Sequence, residues 1–179
     1  MITHTGAMPI FHPESKLYRP PLHFLRSGLG RFATGVAVVT FDEADGTRRG
    51  ITINSFTSIS MDPPLVLASI GRDARSHDAL KGRPFTVNVL GAEQQALAMQ
   101  FAGKPSVEPR WTETDVAPRL ESALGWFACT PWAEYDGGDH TMYLGEVQHF
   151  GSRRGDALGF LGGQFVTIPE ADLGLEAMF

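Results

Sequence analysis

Cysteine, lysine and long apolar runs are scarce in this 179-residue sequence, and each shortage excludes a class of protein. The single cysteine, Cys129, has no partner for an internal disulfide, and its apolar neighbours in "LGWFACTPW" indicate a buried, inert thiol. Only three of the 15 basic residues are lysines, the net charge is −5 and no basic run occurs, so we do not expect a nucleic-acid partner. No run of about 18 apolar residues occurs. The first residues also lack the basic and apolar segments of a signal peptide, so we expect a cytoplasmic protein that does not enter a membrane.

Several motifs that mark well-known sites are missing too. Neither G-x-x-x-x-G-K-[ST] nor G-x-S-x-G occurs, and the six histidines show no close ligand spacing, so we expect no metal site. The stretch "GLGRFA" (residues 28–33) fits the dinucleotide fingerprint G-x-G-x-x-G/A. It follows a predicted helix and precedes a predicted strand, however, which is the reverse of the order that places a pyrophosphate. The sequence therefore does not indicate a Rossmann domain.

The composition and the positions of the prolines indicate one domain with short extensions. A chain that is 42% hydrophobic and 20% charged can bury one substantial core. Residues 1–21 lack periodicity and contain several prolines, so we interpret them as an N-terminal arm. The domain then covers residues 22–168, and residues 169–179 form a tail.

Hydrophobic patterning predicts mostly strands with a few short helices. Residues 35–41 are apolar on both faces, and Asp45-Gly46 predicts a tight turn into an antiparallel neighbour at residues 50–58. Asp62-Pro63-Pro64 ends that strand, because proline cannot donate a ladder hydrogen bond. The other predicted strands are residues 65–70, 85–90, 126–135, 140–150 and 159–168, and the predicted helices are residues 22–32, 76–81 and 92–102. This order favours a small antiparallel barrel over a doubly wound sheet.

The stretch "GITINSFTSISMDPPLVLASI" (residues 50–70) has more small polar side chains than a strand facing solvent needs. These side chains are Thr52, Asn54, Ser55, Thr57, Ser58 and Ser60. One interpretation is an edge strand with hydroxyl pairs across the ladder. The other is a wall against a polar ligand, and composition alone does not decide between them.

Five segments in a fixed order resemble the flavin reductase family, which has the FMN-binding split-barrel fold. The segments are "TGVAVVT", "GITINSFTSISMDPPLVLASI", "RSHDAL", "FTVNVL" and "GGDHTMYLGEV", and the resemblance covers residues 25–168. It implies a mostly β, antiparallel split barrel and an NAD(P)H:flavin oxidoreductase that passes a hydride from nicotinamide C4 to flavin N5. It also implies FMN, or alternatively FAD, as the flavin, NADH or NADPH as the co-substrate, a homodimer, and a flavin-dependent monooxygenase that uses the reduced flavin.

The resemblance also implies a set of site residues. His140 of the G-D-H motif lies near the reactive face of the flavin, as the catalytic residue. The implied cofactor-binding residues are Thr34, Gly35, Val36, Thr52, Asn54, Ser55, Phe56, Thr57, Ser69, Ile70, Arg75, Ser76 and Asn88. Small side chains let backbone groups approach the pyrimidine edge of the ring. Ser76 at a helix start, together with Arg72 or Arg75, is suited to bind a phosphate.

Alternatives remain for several of these residues and for the function. His140 is otherwise a half-exposed histidine at a strand end, and Arg75 and Ser76 belong to an ordinary surface helix. We expect His77 to face solvent, and the three tryptophans to lie in the core or an interface. A non-catalytic, FMN-binding electron carrier is the main alternative function, and an oxidase resembling the pyridoxamine phosphate oxidases is a further one.

Overall fold

The computed structural model describes residues 21–170, which form twelve strands, three helices and one 3-10 turn. The predicted arm and tail fall almost entirely outside these residues. The helices are α1 (Leu22–Leu29), α2 (His77–Leu80) and α3 (Gln95–Phe101), the last preceded by the 3-10 turn Ala92–Gln94. The strands are β1 (Thr34–Gly35), β2 (Ala37–Asp42), β3 (Arg48–Ile53), β4 (Thr57–Met61), β5 (Pro64–Gly71), β6 (Phe85–Val89), β7 (Trp111–Thr112), β8 (Arg119–Leu120), β9 (Gly125–Asp136), β10 (His140–Ser152), β11 (Ala157–Leu161) and β12 (Gln164–Ile168). Across this part of the chain, every helix is too short to span a lipid bilayer.

The main sheet has seven antiparallel strands in the order β3-β2-β6-β9-β10-β5-β4. Its two edges, β3 and β4, are consecutive in sequence and are joined by residues 54–56 alone. The edges of a flat sheet of this size would be about 29 Å apart, since neighbouring strands lie about 4.8 Å apart. A four-residue step from Ile53 to Thr57 spans at most about 14 Å. The sheet must therefore curl until its two edges come close together.

The packing of the core confirms this curvature. Side chains from β2, β3, β5, β6, β9 and β10 all meet in one buried cluster, which a flat sheet would not allow. Along β2, Val39 and Phe41 point into that cluster. Val38 points the other way, into a second cluster with Ala98 of α3 and Leu158 of β11. Burial on both faces confirms the prediction from the apolar run at residues 35–41.

Two strand predictions are wrong in a way that matters for the site. Residues 50–58 are not one strand, because β3 pairs with β2 only as far as Ile53 and β4 pairs with β5 from Thr57 onwards. Residues 159–168 are likewise not one strand. Gly162 and Gly163 both have positive φ angles and turn this stretch into the β11–β12 hairpin. The predicted hairpin at Asp45-Gly46 is confirmed, with Gly46 at φ +80°.

Helix α1 is amphipathic but carries no buried residue. Leu22, Phe24 and Leu29 are 71%, 65% and 66% exposed. The helix is joined to the rest of the fold by the bond from the Gly162 N–H to the Gly30 carbonyl, at 2.8 Å. Its apolar face is therefore not covered by residues 21–170.

Candidate functional site

A cleft of about 910 Å³ lies between β3, the loop that follows β5 and the C-terminal end of α3. This volume is within the range of small-molecule sites, about 300 to 1,000 Å³. Its lining brings together three residues that the sequence analysis selected, Thr52, Arg75 and Ser76. Thr52 also fixes one wall, because its hydroxyl donates to the Ala98 carbonyl of α3 at 2.6 Å.

The structure distinguishes the two candidate arginines of the anion site. Arg72 donates from Nε to the Gly138 carbonyl (2.9 Å) and from its terminal nitrogen to Asp136 (3.0 Å), so it holds the loop before β10. Arg75 lines the cleft, is exposed, and forms no hydrogen bond or ion pair within residues 21–170. Its five N–H donors therefore remain available for an anion.

The helix contribution to this anion site is smaller than the sequence suggested. Helix α2 has only four residues, and the Ser76 side chain does not cap it. So short a helix has few aligned peptide dipoles, so it contributes little positive charge at its N-terminus. Binding of an anion here must depend mainly on the Arg75 guanidinium and the Ser76 hydroxyl.

The break in strand pairing at residues 54–56 leaves a short run of backbone outside both neighbouring ladders. Ser55 holds this run against β5, because its Oγ accepts from the Ser69 N–H (3.1 Å) and donates to the Ser69 carbonyl (2.7 Å). Asn54 is exposed, and its side-chain amide has no partner among residues 21–170. Thr57 is exposed as well, and its hydroxyl makes only a long bond to the Ser58 carbonyl (3.3 Å). Unpaired peptide groups beside a free amide match the donors and acceptors of a flavin pyrimidine edge.

Two apolar members of the predicted set, Ile70 and Val36, can contribute only backbone groups. Ile70 and Val36 are 1% and 2% exposed, each inside a core cluster. Phe56 is half-buried, and its ring lies 5.5 Å from that of Phe127.

Thr34 and Gly35 form β1, which pairs with Phe160 and Gly159 of β11. The Thr34 hydroxyl is buried and has no hydrogen-bond partner, and it is the one such side-chain oxygen or nitrogen in residues 21–170. Leaving a buried polar group unpaired costs about 1–3 kcal/mol. A ligand that supplied a partner would remove this cost, so Thr34 fits the predicted role. Gly35 is exposed, and a Cβ there would meet no atom within 4 Å.

The structure does not bring Asn88 to the cleft. Asn88 is 0% exposed, and its Nδ2 donates to the Val38 carbonyl (2.9 Å) and the Thr40 hydroxyl (3.0 Å). Its Oδ1 accepts from the Leu120 N–H at 2.7 Å. The hydrogen-bonding groups of this amide are all satisfied inside the protein, where they connect β2, β6 and β8.

His140 is the first residue of β10, opposite Gly71 of β5. Its side chain is 46% exposed, and its Nδ1 lies 2.7 Å from Asp139 Oδ1. The carboxylate can only accept, so Nδ1 carries the proton of this bond, while Nε2 makes no hydrogen bond within residues 21–170. Ser69 and Gly71 share one face of β5, while Ile70 between them points into the core. His140 therefore lies on the same face of the sheet as the Ser69 side chain.

The pKa of the Asp139 carboxyl responds to this neighbour. Its pKa is lowered first by the hydrogen bond from His140 and then by the charge on that ring, with a smaller contribution from Arg26. Asp139 therefore stays ionised and holds the imidazole in one orientation through the neutral pH range.

One sequence prediction about histidine is wrong. His77 does not face solvent but is 8% exposed, with Nε2 2.8 Å from the Thr141 hydroxyl and its carbonyl accepting from Tyr143. These partners lie in β10, 64 and 66 residues along the chain, so local sequence gave no sign of them. Cys129 is buried as predicted, and burial raises the pKa of its thiol to about 12, which makes it unreactive near neutral pH.

Sequence reasoning missed the far wall of the cleft. Gly50, Gln100 and Phe101 line it, and the Phe101 ring packs edge-on against Trp111 at 5.9 Å. Trp111 is covered in turn by Arg48, whose guanidinium lies 5.2 Å from the ring and binds Glu113 through two bonds of 2.8 and 3.1 Å. The segment around β7 is thereby fastened to β3. The glycine at position 50, in a strand, was the one sequence signal of this close approach.

Comparison with known proteins identifies the family that shares this architecture. The family model described as "Flavin reductase like domain" matches residues 29–169. An NADH-dependent FMN reductase from Agrobacterium fabrum is 40% identical over 144 residues, which cover 78% of this chain and 82% of that protein. The reductase component of a flavin-dependent trigonelline monooxygenase from Acinetobacter baylyi is 36% identical over 149 residues. That alignment covers 80% of this chain but only 48% of the relative's length.

Solved structures show the same relationship. An NADH:FAD oxidoreductase from Streptomyces globisporus, determined in complex with NAD and FAD fragments, superimposes with a TM-score of 0.78 at 37% identity. The superposition covers 88% of this chain and 100% of that one. The likeness therefore includes nearly all of the described fold.

Proposed function

Because the chain belongs to the flavin reductase-like domain family, we propose that it is an NAD(P)H:flavin oxidoreductase that supplies reduced flavin to a partner monooxygenase. The flavin, FMN or FAD, accepts a hydride at N5 from C4 of NADH or NADPH. The relatives described above are reductases of these flavins or components of a monooxygenase system, which supports this assignment. We place the enzyme in the cytoplasm.

The single observation that carries the proposal is the break in strand pairing at residues 54–56. Peptide groups that belong to neither ladder lie there beside the free Asn54 amide and the Ser55–Ser69 contact. A polar, rigid edge of this kind binds the rim of a flat heterocycle and leaves its face open. Residues 34–36, together with Thr52, Phe56, Thr57 and Ile70, complete the wall through hydroxyl or backbone groups.

Two further groups have separate tasks. Arg75, Ser76 and Ser69 bind the flavin phosphate, because Arg75 is an unpaired cation at the cleft. His140 orients the carboxamide of the nicotinamide or stabilises negative charge near N5, since its Nε2 is free and Asp139 fixes its ring. Asn88 acts indirectly, by holding β2 and β6 in register.

The finer fold assignment, a split barrel, is part of the same proposal. The curled seven-stranded sheet supports it, because its two edges come close together without a continuous β3–β4 ladder. A homodimer is proposed as well. Leu22, Phe24 and Leu29 of α1 present an uncovered apolar surface, and a second copy of the chain would bury it.

A steady-state assay tests the proposed activity. Purified protein is mixed with NADH or NADPH and with FMN, FAD or riboflavin, and nicotinamide oxidation and anaerobic bleaching of the flavin are followed. We expect flavin-dependent oxidation of at least one nicotinamide. Retention of a yellow cofactor without any such oxidation would support an electron carrier instead, and turnover of vitamer phosphates would support an oxidase. Sedimentation velocity of the full chain tests the dimer, which a purely monomeric species at micromolar concentration would contradict.

A further inference from the structure

Helix α1 has a second face that is as unusual as its exposed apolar one. His23, Arg26 and Ser27 share one face of α1, and Gly30 and Arg31 follow in the turn directly after the helix ends. This face lines a pocket of about 790 Å³ whose opposite side is formed by Leu161, Gly162 and Gly163 of the β11–β12 turn. A surface helix normally turns its apolar side towards the protein and its charged side away. Here the basic side faces the body of the protein.

The arginines of this pocket have no carboxylate bonded to them among the described residues, and Asp139 acts on Arg26 only at longer range. No carboxylate lines the pocket. The side chains of Arg26 and Arg31 form no hydrogen bond or ion pair with any residue from 21 to 170. Two guanidinium groups facing one pocket repel each other. An anion between them would be attracted to both, and this attraction would offset the repulsion.

The floor of the pocket is open backbone. Gly162 and Gly163 have φ angles of +61° and +83°, and a Cβ at either position would meet no atom within 4 Å. The bond from the Gly162 N–H to the Gly30 carbonyl fixes this turn against the end of α1. A ligand can therefore approach the main chain closely without displacing a side chain.

The pocket is linked electrostatically to the His140 end of the candidate site. Among the influences that lower the pKa of Asp139, which are led by the hydrogen bond from His140, the charge of Arg26 is one. Arg26 is thus within electrostatic range of the residue that fixes the proposed nicotinamide-orienting histidine. Arg75, the unpaired cation of the larger cleft, is instead on the loop that borders β3 and α3.

We propose that the pocket formed by His23, Arg26 and Arg31 with the β11–β12 turn binds the pyrophosphate of the nicotinamide dinucleotide. This inference rests on the proposed function, and it assigns the two unpaired cationic centres to two substrates. Arg75 takes the flavin phosphate, and the α1 pocket takes the hydride donor. It also accounts for productive binding of a dinucleotide by a protein whose described part has no Rossmann unit. The exposed guanidinium groups make a few charge-assisted bonds, so affinity for the donor is modest.

The test compares the double variant R26Q/R31Q with the wild-type full-length protein. R154Q is the matched control, because Arg154 is 75% exposed and has only a long ion pair with Glu170, at 3.6 Å. We expect KM for the preferred dinucleotide to rise about tenfold in the double variant and to stay unchanged in the control. With the phosphate-free donor N-benzyl dihydronicotinamide, the double variant and wild type should have equal rates. An equal loss with both donors, or no change with either, would overturn the proposal.

A binding measurement separates the dinucleotide from the flavin as the source of the phosphate. Isothermal titration calorimetry with ADP-ribose should give about tenfold weaker binding to the double variant. Flavin fluorescence quenching should give an unchanged Kd for FMN. Weakened FMN binding with unchanged ADP-ribose binding would assign the pocket to the flavin and contradict the inference. A wild-type protein that oxidises neither NADH nor NADPH would instead contradict the proposed function, whatever the variant binds.

Discussion

The Phe101 ring occupies the space that a Cβ atom on Gly50 would need. A Cβ built there would lie 2.5 Å from two carbons of that ring. Phe101 cannot yield easily, because its other side packs on Trp111 and Trp111 is covered by Arg48. Glycine at this position lets α3 approach β3 and so sets the width of the cleft.

Adding one methyl group at this contact tests its importance. Gly50→Ala should push Phe101 into the cleft or away from Trp111, lowering stability by about 1–3 kcal/mol and weakening FMN binding. Thermal unfolding and flavin fluorescence quenching measure the two effects. Gly28→Ala is the matched control, since a Cβ there meets nothing within 4 Å. Unchanged stability and flavin affinity in Gly50→Ala would show that the Phe101 wall is not tightly packed.

The Ser55 hydroxyl should matter for both stability and ligand binding. Ser55→Ala removes both bonds to the Ser69 backbone, leaving a part-buried N–H and carbonyl unpaired, and should cost about 1–3 kcal/mol of unfolding free energy. Because residues 54–56 are then less firmly held, FMN affinity should fall as well. Chemical denaturation and quenching provide the measurements, with the exposed Ser58→Ala as control. If both variants were equally stable, the contact between Ser55 and Ser69 would contribute nothing to the free energy of unfolding.

Replacing Arg75 should weaken only the binding of the flavin phosphate. We expect Arg75→Ala to raise the Kd for FMN about tenfold and to leave the Kd for riboflavin, which has no phosphate, nearly unchanged. Fluorescence titration with both flavins measures this difference. Arg83→Ala is a suitable control, because Arg83 bonds to the Ala79 carbonyl and does not line this cleft. Equal weakening of both flavins would place Arg75 elsewhere in the mechanism.

His140 should affect turnover more than flavin binding. His140→Ala should lower kcat with the preferred nicotinamide about tenfold, below the range for general acid catalysis, because hydride transfer itself needs no proton. The Kd for FMN should stay close to that of wild type. The variant should also raise the pKa of Asp139 towards 3.8, which side-chain NMR detects independently of activity. His149→Ala, at an exposed histidine paired with Asp115, provides the control.

Two results would contradict this assignment. Unaltered kcat in His140→Ala would remove the residue from the mechanism. A large loss of FMN affinity with unchanged kcat would make it a flavin-binding residue instead.

Local patterns predicted the elements well, because each depends on residues close in sequence. The apolar run of β2, the Asp45-Gly46 turn and helix α1 are of this kind. The break after Ile53 was not predictable in the same way, since the residues on both sides favour strands and only their different partners separate them.

The site was predictable as a set of segments but not as individual roles. Arg72 and Arg75 look equivalent in sequence. What distinguishes them is the loop at residues 136–139, which forms hydrogen bonds with Arg72 only. Asn88 belongs to a motif of the family, yet its amide is used entirely by β2, β6 and β8. Such assignments depend on contacts between distant parts of the chain, which periodicity does not encode.

The three-residue link between β3 and β4 also makes ligand binding depend on complete curling of the sheet. A chain that has formed its hairpins but has not yet curled its sheet still holds β3 away from the loop that follows β5, so the cleft between them does not yet exist. Added flavin should therefore stabilise the fully curled sheet relative to flatter intermediates. It should slow unfolding at the junction of β3 and β4 more than anywhere else in the molecule.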